Sequence, residues 1–371
     1  MIYLDNGATS MRKPATVTEA MIRALQVCGN PGRGGHRAAM EAARTAYDCR
    51  ELAGKMFSCV PEQVVFTSNC THGLNIAIHT LVGRGDPVVI SGFEHNAVTR
   101  PLYGLGAQVE IAGRRLFDWE DTLTCWENAL KKGPKAAIFT HVSNVFGYIL
   151  PVEEMAALCH RYGVPFVLDA AQSAGMLPIS MEKLGADFIA MPGHKGLLGP
   201  MGTGILLCGR KPIPLLRGGT GSESRVQEMP QALPERLEAG TLNIPGIAGL
   251  TAGMRYVQKN GEQRLLAREV RQQKRCVRGL QKLGYRVFSG AQQSGTLSFV
   301  PTGDCEEFAQ HLGELGVAVR AGLHCAPTAH ESVGTLETGT VRISFGHDAS
   351  DWQTDRLLEI IGSQKYKKYF Q

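Results

Sequence analysis

Short apolar runs alternate with stretches of helical period along the first two hundred residues. Residues 63–67, 87–91, 136–140, 164–169 and 187–191 are nearly continuous apolar runs, and 203–208 closes the series. Runs of this length without polar alternation predict strands buried on both faces. Before and between them, 16–27, 73–81 and 152–162 space their apolar residues as helices do. Strand and helix in alternation predict an α/β fold with a mostly parallel central sheet covered on both faces.

The pattern changes after about residue 210. Residues 211–245 are rich in Gly, Pro and charge and predict a long loop, which inside a compact unit is functional or an interface. Residues 246–283 are helical in period, with Arg and Lys on one face. Strands follow near 285–289, 295–300, 317–320 and 340–345, with helices near 304–315 and 350–361. This second part predicts a smaller α+β C-terminal domain. The expected division is a large domain over 15–250 and a small one made of 1–14 plus 251–371. No internal repeat or low-complexity segment interrupts either part.

Composition narrows the function classes. The 371 residues are 43% hydrophobic and 20% charged, with a formal net charge of +5. That supports one large core and a smaller one. The one basic cluster, the tail at 365–369, reads as a solvated end, so no nucleic-acid partner is expected. No run approaches the roughly eighteen apolar residues of a membrane span. The start lacks a basic region followed by an apolar stretch, so the expected location is cytoplasmic. Ten cysteines include no Cys-x-x-Cys pair, which predicts reduced thiols and no metal site.

The candidate chemistry lies at the strand ends. The run 164–169 stops at Asp169, followed by Gln172; the next run leads into Pro192-Gly193-His194-Lys195. The run before them ends in Thr140-His141-Val-Ser143-Asn144. A lone lysine in a glycine-rich loop is ordinarily a solvated residue, and a lone Asp at a strand end is ordinarily a cap. In this order they suit a carbonyl cofactor with a basic ring. The lysine can join the carbonyl and the acid can keep the ring nitrogen protonated, as pyridoxal 5'-phosphate requires. Ligands of open α/β sheets gather at the carboxyl ends of strands.

A phosphate needs N–H groups at a helix start, plus hydroxyls. Ser68-Asn69-Cys70-Thr71-His72-Gly73 follows a strand and opens a helix, which also fits an ordinary cap. Arg320-Ala-Gly322-Leu-His324-Cys325-Ala326-Pro327 places a thiol in a turn after a strand. The neighbouring histidine and arginine are expected to favour its thiolate; the bland alternative is a buried structural cysteine.

These segments together carry a resemblance. Glu94-His95-Asn96, His141-Val-Ser-Asn144, Asp169-Ala-Ala-Gln172, Gly193-His194-Lys195, Glu238-Ala-Gly-Thr241 and Arg320-x-Gly-x-His324-Cys325-Ala326 stand in the order seen in cysteine desulfurases. The likeness runs from Asp5-Asn6 to Arg342. The last motif resembles the group of SUF-type desulfurases and selenocysteine lyases, within class V aminotransferase-like enzymes of the pyridoxal phosphate-dependent fold type I.

The resemblance implies a role for each matching position. Lys195 would hold the cofactor covalently and, once freed, move the Cα proton. Asp169 would pair with the ring nitrogen, Gln172 with the ring hydroxyl, and His95 would stack on the ring. Thr71 and His194 would hold the phosphate, with Cys70 beside them and Thr241 arriving from a second subunit of a homodimer. Asn144 and Arg342 would bind the substrate carboxylate, and His36 of Arg33-Gly-Gly-His36 matches a position near the site. Cys325 would attack the sulfur of L-cysteine, releasing L-alanine and keeping a persulfide for a protein acceptor. Pro192, Cys70, His72 and Leu323 depart from the family's usual serine, threonine, acid and histidine. The alternatives are a selenocysteine lyase, a class V aminotransferase without desulfurase activity, or a non-catalytic relative. Cys325 speaks against the second and Lys195 against the third.

Overall fold

The computed structural model describes residues 1–32 and 34–363; Arg33 and the basic tail at 365–369 lie outside the described residues. Seven strands form the central sheet, in the spatial order Val64–Thr67, Gly204–Cys208, Phe188–Pro192, Phe166–Asp169, Ala136–Thr140, Pro87–Ser91, Gln108–Ala112. All run parallel except Gly204–Cys208, which pairs antiparallel with both neighbours. The expected α/β fold with a mostly parallel sheet is present. The reversed strand has a consequence for the site: residues 193–203 become the loop of an antiparallel pair, closed by Pro192 opposite Gly204.

The apolar runs work as their pattern predicts. Every residue of Ala136–Thr140, Phe166–Asp169 and Phe188–Pro192 is buried. Alternate residues serve opposite faces. Phe139, Leu168 and Ile189 pack with Phe57 and Trp126 on one side. Ile138, Val167 and Phe188 pack with Leu74, Ile78 and Val98 on the other. Each such side chain contributes about 1.5–3 kcal/mol on burial.

The apolar runs point to no strand at 108–112, yet Gln108–Ala112 forms the sheet edge. It is half exposed, so its residues lack a continuous apolar run. The helix expected at 73–81 begins earlier, at Cys70, because the Asn69 side chain accepts from the His72 N–H and caps it. The long helical stretch 246–283 is two helices, Ile244–Asn260 and Glu262–Lys282, broken at Gly261 with φ of +80°. The loop 211–245 is tied to the sheet edge through Glu238, whose carboxylate takes Arg50 at 2.9 Å and the Phe66 N–H at 2.7 Å.

A second, antiparallel sheet has the order Arg320–Gly322, Thr340–Ser344, Thr296–Val300, Arg286–Phe288. It packs through Leu297, Phe299 and Ile343 against Leu280, Phe308 and Leu357. The strand expected over 317–320 is split. Val317–Ala318 pairs in parallel with Ile2–Tyr3, and Arg320–Gly322 edges the four-stranded sheet. The amino-terminal segment is thereby held between the two sheets, with Asp5 bridging Ser344. Among the described residues no helix is long and apolar enough to cross a membrane.

Candidate active site

A pocket opens over the carboxyl ends of the parallel strands, the place where such sheets bind ligands. It spans about 520 Å³, counted to its open mouth. Cys70, Thr71, His95, Asn144, Asp169, Gln172, His194 and Lys195 all line it, with Pro192 beside them. His36, Thr241, Cys325 and Arg342 do not line it within one chain.

Asp169 closes its strand and is 2% exposed. Its Oδ1 accepts from the Ala171 N–H at 2.8 Å and from the Cys70 thiol at 3.5 Å. No described residue donates to Oδ2, so one carboxylate oxygen in the pocket lining is left for a cationic ligand. Burial pushes the Lys195 ammonium below its ordinary range, against the opposing pull of Asp169 and Cys70. A lysine so placed presents a neutral, nucleophilic amine more readily than one in water. Cys70 is driven the other way: burial, then the Asp169 charge, raise its thiol well above the usual range. It is a neutral donor to Asp169 and not a second nucleophile.

His95 caps the helix Asn96–Gly104, its Nδ1 accepting from the Ala97 N–H at 3.0 Å. That bond fixes the ring and leaves the proton on Nε2. Burial lowers its pKa, so the imidazole is neutral. Beneath it Glu94 is fully buried and pushed up to about 8 by desolvation, while its Oε1 accepts from the Thr140 N–H at 2.8 Å. The acid thereby links the ends of two strands.

At the start of the helix Cys70–Leu81, the N–H groups of Cys70 and Thr71 have no acceptor among the described residues. Two free donors at a helix amino terminus form an anion cradle. Pro192 supplies neither N–H nor hydroxyl to it. His194 is held at about 4 by burial, Lys195 and Lys13, and its Nδ1 pairs with Thr9 Oγ1 at 3.0 Å. A neutral ring engaged at Nδ1 has one remaining nitrogen, Nε2, for a ligand.

Cys325 lies outside the pocket, on a turn contributed by the second sheet. Its residue is exposed, and both His324 and Cys325 hold left-handed backbone, with φ of +50° and +57°. Such conformations cost about 1–3 kcal/mol each and persist only where neighbours enforce them. Three bonds enforce them here. Asn144 Nδ2 donates to His324 O at 2.7 Å, Asn96 N–H to Cys325 O at 2.7 Å, and Ala326 N–H to Leu323 O at 2.9 Å. Two of these come from the pocket wall and pin the thiol loop to it. The histidine expected to favour the thiolate does not carry that charge. His324 is 8% exposed, its Nε2 pairs with Thr340 Oγ1 at 3.2 Å, and burial lowers its pKa well below normal.

Arg342 is 2% exposed and held below the Cys325 loop, where Nη1 donates to Asn144 O at 3.0 Å and Nη2 to Asp5 at 2.7 Å. Its Nε and the Asn144 Oδ1 are buried without partners among the described residues. Exposed His36 instead caps the helix Arg37–Phe57 through Nδ1, which accepts from the Ala39 N–H at 3.4 Å. Thr241 is exposed and lines a separate cleft with Ser68 and His72, beside the same helix start.

Sequence reasoning missed the amino-terminal strap. Gly7 O accepts from Gln172 Nε2 at 3.0 Å, and Ser10 Oγ donates to the carbonyls of His194 and Lys195 at 2.9 and 3.1 Å. Lys13 Nζ reaches His194 O at 2.9 Å. These residues have no period, so the hydrophobic pattern carries no signal for them; only the match at Asp5-Asn6 touches the segment.

Comparison with known proteins places this geometry. The aminotransferase class-V family model matches residues 2–357. A probable cysteine desulfurase of Pyrococcus abyssi is 34% identical over 366 residues, covering 93% of this chain and 89% of that protein. A probable cysteine desulfurase of Methanothermobacter thermautotrophicus is 32% identical over 378 residues, covering 97% and 93%. Among solved structures, the apo cysteine desulfurase of Thermococcus onnurineus NA1 has a TM-score of 0.90 at 33% identity, over 99% of this chain and 95% of that one.

Proposed function

The chain belongs to the aminotransferase class-V family, and from that premise we propose that it is a pyridoxal phosphate-dependent cysteine desulfurase. The observation that carries this reading is one juxtaposition: an exposed thiol on a strained turn, pinned by Asn96 and Asn144 to the wall of the pocket that holds Lys195 and Asp169.

The pocket fits the cofactor. The unpaired Asp169 Oδ2 suits a protonated ring nitrogen, and the free amides of Cys70 and Thr71 suit a phosphate. His95, fixed by its Nδ1 bond, offers a ring face, and Gln172 stands beside Asp169. Bound there, pyridoxal phosphate supplies an electron sink for charge developing at the substrate Cα. Lys195, its amine favoured by burial, holds the cofactor and then takes the Cα proton. The Cys325 Sγ attacks the substrate sulfur: a sulfur–sulfur bond forms as the Cβ–sulfur bond breaks. The electron pair passes to the Cβ fragment, which is protonated and leaves as L-alanine. Arg342 and Asn144 hold the substrate carboxylate. The exposure of Cys325 suits hand-over of the sulfur to a protein acceptor.

A homodimer in which Thr241 reaches the partner's phosphate cradle accords with the exposure of Thr241. A division into units of 15–250 and 1–14 plus 251–371 accords with the apolar cluster that joins Ile2 and Leu4 to residues of 276–361, although Phe288, Ala326 and Ala329 pack into the larger core. The test is direct. Purified protein loaded with pyridoxal phosphate is incubated with L-cysteine, and alanine is quantified. Alanine formed in step with sulfide under reducing conditions is expected; a keto acid in its place overturns the reading.

A further inference from the structure

Among the described residues, Asp5 is the one acidic group paired with Arg342. It lies just after the strand Ile2–Tyr3, and its carboxylate is 12% exposed. Its Oδ1 accepts from Arg342 Nη2 at 2.7 Å. Its Oδ2 accepts from Arg320 Nη2 at 2.9 Å and Nε at 3.1 Å. One carboxylate therefore joins two guanidinium groups on adjacent antiparallel strands, where Arg320 stands opposite Arg342. Without it two like charges would face each other across that pair, one of them buried. With Nη1 donating to Asn144 O and Nη2 to Asp5, the guanidinium nitrogen of Arg342 without a partner among the described residues is the buried Nε. Arg320 also opens the strand Arg320–Gly322, which leads into the Cys325 turn.

We propose that Asp5 is the positioning residue of the substrate-carboxylate site: it orients Arg342 so that Nε faces an incoming carboxylate, and through Arg320 it sets that site in register with the thiol loop. This rests on the reading of Arg342 as the carboxylate anchor. The neutral isostere, asparagine, removes the charge from the pairs with both guanidinium groups while keeping the shape.

The test uses full-length, cofactor-loaded protein carrying Asp5→Asn. The expected result is a KM for L-cysteine raised roughly ten- to hundred-fold, the worth of one charge-assisted bond, with kcat little changed. Inhibition by L-alanine, which carries the carboxylate, weakens in parallel, whereas inhibition by cysteamine, which lacks it, does not. Asp5→Glu restores part of the loss. A general loosening of the fold would weaken both inhibitors alike, and that outcome, or an unchanged KM, overturns the proposal. If Asp5→Asn fails to load cofactor, Arg320→Gln carries the same two-inhibitor test at a half-exposed side chain. Arg342→Gln is measured beside them. If it raises KM and Asp5→Asn does not, the positioning role alone fails. If Arg342→Gln leaves KM unchanged, the anchor reading fails and this inference with it.

Discussion

The two reactive groups of this protein sit in opposite settings. Asp169 ends a buried strand and Lys195 follows the next one, in a pocket where burial shifts Lys195, His95 and His194 toward their neutral forms. Cys325 stands exposed on a turn of two left-handed residues whose other member, His324, is buried, held by hydrogen bonds from Asn144 and Asn96. Proton transfer at carbon gains from a dry, fixed environment, where electrostatic effects are strong. Sulfur hand-over needs a thiol that can meet a second molecule, which a loop on a rigid scaffold provides. One site is built for exclusion and the other for access.

Four changes probe this contrast, the most damaging first. Lys195→Ala removes the pocket's base: the visible absorbance of the bound cofactor should vanish and turnover fall by on the order of 10³-fold or more. Cys325→Ala should leave that absorbance intact and abolish persulfide formation from L-cysteine, while some selenocysteine cleavage survives, because a selenol leaves carbon more easily than a thiol. Equal loss on both substrates contradicts this separation. Asn144→Ala cuts the side-chain tie between the two regions, from Asn144 Nδ2 to His324 O at 2.7 Å. Turnover should fall by about tenfold, in keeping with the roughly 1–3 kcal/mol of a buried polar group left unpaired, and amide exchange at residues 323–326 should quicken. Unchanged exchange there would show that the turn holds its shape alone.

The fourth concerns pH and only the pocket floor. Glu94 keeps its proton to about 8 in the folded protein, against an ordinary 4.5, because it is desolvated. Its contribution to stability is therefore full below 4.5 and is lost as pH rises toward 8. Glu94→Gln, permanently neutral and still able to accept from Thr140, should flatten that loss. The melting midpoint of the variant relative to the unaltered protein should climb between pH 5 and 8, and a constant difference would contradict the assignment.

The sequence made the exclusion half of the comparison the easier to read. Asp169 and Lys195 stop apolar runs, and a charge ending a buried strand is visible in the residue pattern. The access half was legible only as a motif. Nothing local to Arg320–Ala326 shows that Asn144 and Asn96, far away in the chain, would pin the turn, or that His324 would be buried and neutral. The edge strand Gln108–Ala112 escaped because edges need no continuous apolar run. The strap at residues 5–13 escaped because its work is done by backbone carbonyls and single hydroxyls, which leave no period. Long-range hydrogen bonds between irregular segments are the part of a fold that hydrophobic spacing does not encode.

The most direct measurement is mass spectrometry of the cofactor-loaded protein after a single turnover with L-cysteine, followed by alkylation and digestion. The account predicts one added sulfur atom on the peptide containing Cys325, absent from Lys195→Ala. Sulfur found on Cys70 or any other thiol, or alanine released with Cys325 unmodified, would contradict it.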